Sequence, residues 1–248
     1  MQSLESPNLL PEIAVRSRLL SLLTAVFVTA LIVADITGGK FFHLQLFRLG
    51  SYEFVTHSVG MLAFPITFLL TDLINEYYGP KVARQVTYIG LLCAGLSFGL
   101  ILVDRQLPVA PESPIAQDTF EKVFAMSNRL YVASLSAYLV GQMSDIAVFG
   151  VLKRLTGGRM VWLRATGSTV ISQAIDSFCV TTILFYGNPG PDGQIAGWQV
   201  ILPIAATGYV LKFMLAIALT PVVYLGRWLI RTRLGMLPLP AEPATRTS

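Results

Sequence analysis

Long apolar runs that carry ionisable side chains in their interiors are the feature that most constrains this chain. Asp72, Asp145, Asp176 and Lys212 lie within stretches that are otherwise apolar enough to cross a bilayer, and Asp35 lies near the edge of another. An ionised side chain at bilayer depth costs at least about 2.5–3.5 kcal/mol. Such groups are typical of proteins that move polar molecules through membranes, rather than of membrane anchors or soluble enzymes.

The composition supports this interpretation. Hydrophobic residues make up 54% of the 248 residues and charged residues 13%, whereas soluble domains average about 25% charged. The net charge is +4, but the basic residues fall in short loops rather than in one patch, so nucleic acid is not predicted as a partner. The two histidines and two cysteines are not spaced as metal ligands, and neither a metal nor a cofactor is predicted.

The apolar runs are long enough to be membrane spans, which need about 20 residues each. The sequence predicts an all-α membrane protein whose six transmembrane helices form one domain over residues 19–227. Tails at 1–18 and 228–248 flank it, and the second is predicted to be disordered. The stretch 104–129 is too polar to cross, and its second half is predicted to be a short surface helix. The predicted spans are 19–37, 54–77, 82–103, 130–152, 165–186 and 199–225.

The distribution of basic residues between the loops predicts the orientation. If both termini, the loop between spans 2 and 3 and the loop between spans 4 and 5 share one side, that side holds 12 of the 18 Lys and Arg residues. Cytoplasmic loops carry an excess of these residues. We therefore expect both termini in the cytoplasm. The other side holds Lys40, Arg48, Arg105, Lys122 and Arg129, and Lys212 lies inside span 6.

The charged residues inside the spans share one depth. With a helical rise of about 1.5 Å per residue, Asp72, Asp145, Asp176 and Lys212 lie roughly 12–22 Å from the cytoplasmic edge of a hydrocarbon core about 30 Å thick. Asp35 lies nearer the outer edge. Charged groups on four helices at one depth predict one polar cavity.

Two amide side chains accompany these carboxylates. Gln142 precedes Asp145 by three residues, and Gln173 precedes Asp176 by three, so each pair shares a helix face. Two spans thus present the same amide-plus-carboxylate pair. The structural alternative stays open, because buried polar side chains also join helices by hydrogen bonds, and Lys212 could simply neutralise Asp145 or Asp176.

The carboxylates also show a faint internal symmetry. Asp35 and Asp72 lie on the first two spans of the first half, and Asp145 and Asp176 on the first two of the second half. Since three spans is an odd number, duplicated halves would be inverted in the membrane, as in many transporters. The sequence therefore suggests two inverted three-helix halves. Asp35 and Glu76 are interpreted as interfacial.

An intramembrane aspartyl protease is the rival function. Asp145 and Asp176 on consecutive spans could form a dyad that shares a proton. However, the sequence lacks the G-x-G-D and Y-D signatures of such proteases. A G-x-S-x-G match at Gly95–Gly99 lies in the middle of a predicted helix and is interpreted as a helix-packing face. We therefore do not predict an enzyme.

Four motifs resemble the queuosine-precursor transporter family, also known as a vitamin uptake transporter family. The F-P-x-x-F-L-x-T-D-L run followed by G-Q-x-x-D is the specific part of the resemblance, which spans most of residues 54–225. The motifs are FPITFLLTDLINEYYG at 64–79, AYLVGQMSD at 137–145, SQAIDS at 172–177 and YVLK at 209–212.

The resemblance implies a six-span importer in the bacterial inner membrane. Its cargo would be 7-cyano-7-deazaguanine or 7-aminomethyl-7-deazaguanine, deazapurines salvaged to make queuosine in tRNA. A different nucleobase or vitamin is the alternative cargo. The lipid bilayer and the small molecule are the expected partners, and the sequence leaves a homo-oligomer open.

The polar residues suit such a cargo chemically. A guanine-like edge presents an N1–H and an amine that a carboxylate can accept, and its O6 needs a donor such as an amide or an ammonium group. Flat rings stack on aromatic side chains. No catalytic residue is predicted. The candidate substrate-binding residues are Asp72, Gln142, Asp145, Gln173, Asp176, Lys212, Tyr138, Tyr209 and Phe64.

Overall fold

Helices make up most of the structure. The computed structural model describes residues 9–42, 57–124, 128–157, 160–187 and 197–240. Two short strands, β1 (Phe41–Phe42) and β2 (His57–Ser58), pair antiparallel between the first two helices. The helices are α1 (Leu9–Thr37), α2 (Gly60–Tyr78), α3 (Pro80–Asp104), α4 (Gln117–Phe124), α5 (Asn128–Leu155), α6 (Val161–Phe185) and α7 (Trp198–Leu234).

The predicted all-helical membrane fold is confirmed. In the described residues, five helices are long and apolar enough to cross a bilayer: Ile13–Thr37, Pro80–Asp104, Leu130–Leu155, Thr166–Phe185 and Trp198–Leu234. They correspond to α1, α3, α5, α6 and α7. Helix α2 has the length of a span at 19 residues. It does not reach the same apolar content, because its second half contains polar side chains.

Helix α2 lies at the centre of the bundle. It packs against α1, α3, α5, α6 and α7, and 12 of its 19 residues are buried. Its buried residues include Thr67, Thr71, Asp72, Asn75 and Glu76. Polar groups inside a membrane protein must be satisfied by other protein groups rather than by lipid. The central position therefore explains why the helix with the most polar interior is also the most enclosed.

The outer helices present apolar side chains outwards. On α3, Leu92, Leu96 and Leu100 are more than half exposed, and their spacing of four residues places them on one helix face. Leu22 on α1 and Trp228 on α7 are exposed to a similar extent. A surface of this kind matches the hydrocarbon of a bilayer.

Helices α1 and α7 extend furthest beyond the predicted spans. Helix α1 begins at Leu9, and α7 continues to Leu234, because a helix need not end where its apolar stretch leaves the bilayer. Gly235 ends α7 in the left-handed conformation, with φ of 65°, and its N–H donates to Arg231 O at 3.2 Å. Helix α4 lies within the stretch predicted to contain a surface helix.

The segment 235–240 follows α7 without regular secondary structure and packs back on the bundle. Met236 is buried, and the N–H of Leu239 donates to Glu76 O at 3.0 Å. This contact joins the segment after α7 to the end of α2. The remainder of the predicted disordered tail, 241–248, lies outside the described residues, as does the start of the N-terminal tail.

Close approaches between helices occur at other glycines than the predicted pair, and Gly90 is one of them. A Cβ atom added at Gly95 or Gly99 would meet no other part of the described structure within 4 Å, so the interpretation of this pair as a packing face within the chain is wrong. A Cβ at Gly90 would lie 2.6 Å from Tyr138 Oη and 2.7 Å from Phe27 Cε1. Gly90 therefore lets α3 approach both α1 and α5.

Candidate functional site

A buried ion pair joins α6 to α7. Lys212 Nζ donates to Asp176 Oδ2, and both side chains are less than a tenth exposed. The ring of Phe64 on α2 has its centroid 5.9 Å from the same nitrogen, within the range of a cation–π contact. Three helices thus meet at one charge-balanced pair.

The amide of Gln173 lies one helical turn before Asp176 and has no partner. Gln173 is buried, and neither Oε1 nor Nε2 has a hydrogen-bond partner among the described residues. The hydroxyl of Ser177, four residues further along α6, is also buried and has no hydrogen-bond partner in the described ranges. A buried polar group left unsatisfied costs about 1–3 kcal/mol. Groups held in this state are available to bind a polar ligand. As the candidate place for substrate binding, the residues Phe64, Gln173, Asp176, Ser177 and Lys212 are together called the cargo site.

Sequence reasoning missed Ser177. The signal that could have found it is its spacing, because residues at i and i+4 share a helix face. Ser177 lies four residues after Gln173 and directly follows Asp176.

The second glutamine has a different environment. Gln142 Oε1 accepts a hydrogen bond from Thr71 Oγ1 at 2.8 Å, and its Nε2 donates to Thr67 Oγ1 at 3.2 Å. Both hydroxyls belong to α2, so Gln142 joins α5 to α2. The two amide-plus-carboxylate pairs that look alike in the sequence therefore differ, with one amide engaged by the protein and the other without a partner.

Asp145 is close to a second carboxyl group. It is fully buried on α5, and its Oδ1 accepts a hydrogen bond from Ser172 Oγ on α6 at 3.0 Å. Asp72 on α2 is also buried, and its neighbours Thr71 and Asn75 donate to Gln142 Oε1 and Ile146 O on α5, so this part of α2 packs against the part of α5 that carries Asp145. We call Asp72 and Asp145 the carboxyl pair. Asp176 is engaged by Lys212 instead, so the dyad of Asp145 with Asp176 considered for a protease is not formed among the described contacts.

A cleft extends from Asp72 between α2, α6 and α7. Phe68, Thr169, Thr220 and Val223 are among the residues that line it. Thr220 and Val223 lie between Lys212 and the end of α7 that the loop charges assign to the cytoplasm. The cleft therefore lies at the depth of Asp72 and on the cytoplasmic side of Lys212.

Beyond the cleft, Glu76 pairs with two cations. Its Oε2 lies 3.3 Å from Lys153 Nζ on α5, and its Oε1 lies 3.3 Å from an Arg227 nitrogen on α7. Lys153 Nζ also donates to Glu76 O at 3.4 Å. We call these three residues the ion cluster. The sequence interpretation of Glu76 as interfacial did not foresee that it would join α2 to both α5 and α7.

The remaining candidates have separate surroundings. Tyr138 is buried in the core, where its hydroxyl donates to Thr87 O at 2.8 Å and its ring packs near Phe27. Tyr209 is half-buried on α7, with its ring centroid 6.2 Å from that of Phe213. Asp35 is buried and accepts a hydrogen bond from Ser134 Oγ at 2.9 Å, which joins α1 to α5.

Known proteins are similar in sequence to most of this chain. A protein from Bacillus subtilis (strain 168) named "Probable queuosine precursor transporter" is 29% identical over 189 residues, which cover 76% of this chain and 79% of the relative. The "Queuosine precursor transporter" of Escherichia coli (strain K12) is 27% identical over 164 residues, covering 64% of this chain and 66% of the relative. No solved structure shows a significant match.

A family profile also matches most of the chain. The family described as "Putative vitamin uptake transporter" matches residues 58–226. This range runs from β2 to within α7 and contains the cargo site, the carboxyl pair and all four resemblance motifs. It covers more than half of the 248 residues. The chain belongs to the vitamin uptake transporter family.

Proposed function

We propose that this chain imports queuosine precursors across the bacterial inner membrane as a secondary carrier or facilitator. The names of its relatives support this cargo class, and membership of a transporter family supports a role without enzymatic chemistry. The observation that carries the proposal is the buried amide of Gln173, which has no partner in the part of the chain that the structure describes and lies one helical turn from Asp176 of the Asp176–Lys212 pair. A ligand with matching donors and acceptors would satisfy it.

The cargo site offers the groups that a 7-deazaguanine needs. Asp176 accepts the N1–H and exocyclic amine of the guanine-like edge, while the amide of Gln173 donates to O6. Lys212 keeps the carboxylate charge balanced. Phe64 provides an aromatic surface for the flat ring. The same residues would accept 7-cyano-7-deazaguanine and 7-aminomethyl-7-deazaguanine, which share this edge.

We propose that α2 also spans the membrane, which gives six spans in all. A helix of 19 residues is about 28 Å long at 1.5 Å per residue, close to the hydrocarbon thickness. Its polar residues are enclosed by neighbouring helices and need no lipid contact. The loop charges favour cytoplasmic termini. A fusion of alkaline phosphatase after Tyr186 should be active and one after Thr156 inactive, and the reverse pattern would contradict this orientation.

Transport would proceed by alternating access between α1–α3 and α5–α7. Glu76 belongs to the first group, and its partners Lys153 and Arg227 belong to the second. The ion cluster thus joins the two groups at the end assigned to the cytoplasm. Release of cargo into the cytoplasm would require this cluster to separate.

A complementation assay tests the cargo. The chain is expressed in a bacterium that lacks both queuosine synthesis and its own importer, with 7-cyano-7-deazaguanine at limiting concentration, and queuosine in tRNA is measured. Wild type should restore queuosine, whereas Asp176→Asn should not. The matched control is Asp118→Asn, which changes an exposed aspartate of α4 and should retain full activity.

The amount of each variant in the membrane is measured on the same cells. Wild-type protein that reaches the membrane but restores no queuosine would overturn this cargo. A screen of other nucleobases and vitamins would follow, since the description of the family favours a vitamin as the second candidate.

A further inference from the structure

The cargo site and the cleft are adjacent, but they share no residue in the part of the chain that the structure describes. On each of three helices, a residue that lines the cleft lies about one helical turn from a residue of the cargo site. Because α6 runs opposite to α2 and α7, all three steps lead towards the same end of the bundle. The three pairs are Phe64 and Phe68 on α2, Gln173 and Thr169 on α6, and Lys212 and Ala216 on α7.

Phe68 is the bulky side chain at the point where the cleft begins. The other two residues at this level, Thr169 and Ala216, have small side chains, whereas the ring of Phe68 is 1% exposed. A ring buried to this degree is closely packed against its neighbours and leaves little space around it. Phe68 is therefore the side chain that separates the cargo site from the cleft.

The tip of the Phe68 ring also lies near the carboxylate of Asp176. Gly141 on α5 is buried between them. A Cβ atom added to Gly141 would lie 3.6 Å from Phe68 Cζ, 3.5 Å from Asp176 Oδ1 and 3.2 Å from Asp176 Cβ. The ring and the carboxylate thus border the same small volume, which Gly141 leaves open because it has no side chain. Phe68 therefore borders the cargo site on one side and the cleft on the other.

The backbone of α2 lacks one hydrogen bond close to Phe68. Pro65 lies inside the helix and has no N–H, so the carbonyl group of Met61 cannot accept its usual helical hydrogen bond. Helices bend most sharply at such positions. A bend at Pro65 would move Phe68 relative to the start of α2, and with it the ring that separates the two spaces.

We propose that Phe68 is the inner gate of the transporter, whose ring closes the route from the cargo site to the cleft until it moves aside for release of the cargo. This inference rests on the proposed import function and on the proposed cytoplasmic termini. Further along the same helix, Glu76 holds the ion cluster together. Two closures thus lie in series, and cargo meets the ring of Phe68 before it meets the ion cluster.

Two thiols placed on either side of the ring test this gate. The full-length chain without Cys93 and Cys179 carries either Ser177→Cys in the cargo site or Thr220→Cys in the cleft. Labelling by a polar thiol reagent is followed in inside-out vesicles, and the rate at position 177 is divided by the rate at position 220. Entry into the cleft past the ion cluster affects both rates, so the ratio reports the step past Phe68.

The ratio should be well below one in the parent protein and should rise when the ring is removed. Since the minor state of a two-state element is typically populated at roughly 0.1–10%, Phe68→Ala should raise the ratio by about tenfold or more. Phe68→Leu keeps most of the apolar packing, so it should fold even if the alanine variant does not, and it should raise the ratio by less. The matched control is Phe27→Ala, which removes an equally buried ring from α1 and should leave the ratio unchanged.

A ratio near one in the parent, or a ratio that both Phe68 variants leave unchanged, would overturn the gate. An equal rise in Phe27→Ala would also overturn it, because any large cavity would then suffice. A thiol at position 220 that never reacts would do the same, since the cleft would not reach the cytoplasm. Labelling requires no cargo, so failure of wild type in the complementation assay would overturn the cargo without changing this ratio.

Discussion

Lys212 on α7 donates to Asp176 on α6 in a pair that is more than nine-tenths buried. Removal of one partner from a buried ion pair leaves a charge without compensation and typically costs about 3–5 kcal/mol. The pair therefore has both a structural and a proposed binding role, and these two roles can be separated by experiment.

Lys212→Met should lower the thermal stability of the purified protein and abolish uptake, because Asp176 loses its cation. The double variant Lys212→Met with Asp176→Leu removes both charges and should regain most of the stability, since an apolar pair of similar volume is often as stable as a buried ion pair. Uptake should stay absent. Melting curves and uptake on the same samples provide the check, and a transporting double variant would remove the pair from the cargo site.

Variants of Gln173 and Gln142 provide a matched test of whether each glutamine binds the cargo or joins two helices. Gln173→Leu removes an amide that has no partner, so stability should be unchanged or higher, whereas uptake should fall by about tenfold or more through loss of hydrogen bonds to the cargo. Gln142→Leu removes the partner of Thr67 and Thr71 and should lower stability by about 1–3 kcal/mol.

Denaturation and uptake measured on both glutamine variants decide between the roles. If Gln173→Leu is destabilised while retaining uptake, its amide has a structural role, contrary to the proposed cargo site.

The ion cluster should control access from the cytoplasm. In a background without Cys93 and Cys179, Thr220→Cys places a thiol in the cleft beneath the cluster. Adding Glu76→Gln removes the charge that attracts Lys153 and Arg227, so labelling of this thiol by a polar reagent in inside-out vesicles should accelerate several-fold.

The matched control for the ion cluster is Glu121→Gln, which breaks the ion pair with Arg105 at 2.7 Å on the predicted opposite side. Its labelling rate should equal that of the parent protein. Equal rates in Glu76→Gln and the parent would show that the cluster does not close this route.

The segment after α7 should stabilise the end of α2. A chain that stops after Gly235 loses the buried Met236 and the hydrogen bond from Leu239 to Glu76. Burial of a Met side chain contributes about 1.5–3 kcal/mol, so the melting temperature should fall. A chain that stops after Pro240 keeps these contacts and should melt as the full chain does. Equal melting of both truncated chains would contradict this role.

The local pattern of the sequence was sufficient to predict the helical membrane fold. Apolar runs of about 20 residues predict spans wherever they occur, because the bilayer selects for length and hydropathy alone. The same reasoning singled out Asp72, Asp145, Asp176 and Lys212, since the cost of burying a charge does not depend on which neighbour meets it. All four are buried in the structure.

The tertiary structure decided which of these groups meet. Two Q-x-x-D motifs are equivalent as sequence, but only packing against α2 gives Gln142 its two threonine partners and leaves Gln173 without any. Likewise, the sequence could pair Lys212 with either Asp145 or Asp176, and the contact between α6 and α7 selected Asp176. Hydropathy and spacing describe one helix at a time, whereas partners depend on how helices rotate and approach each other.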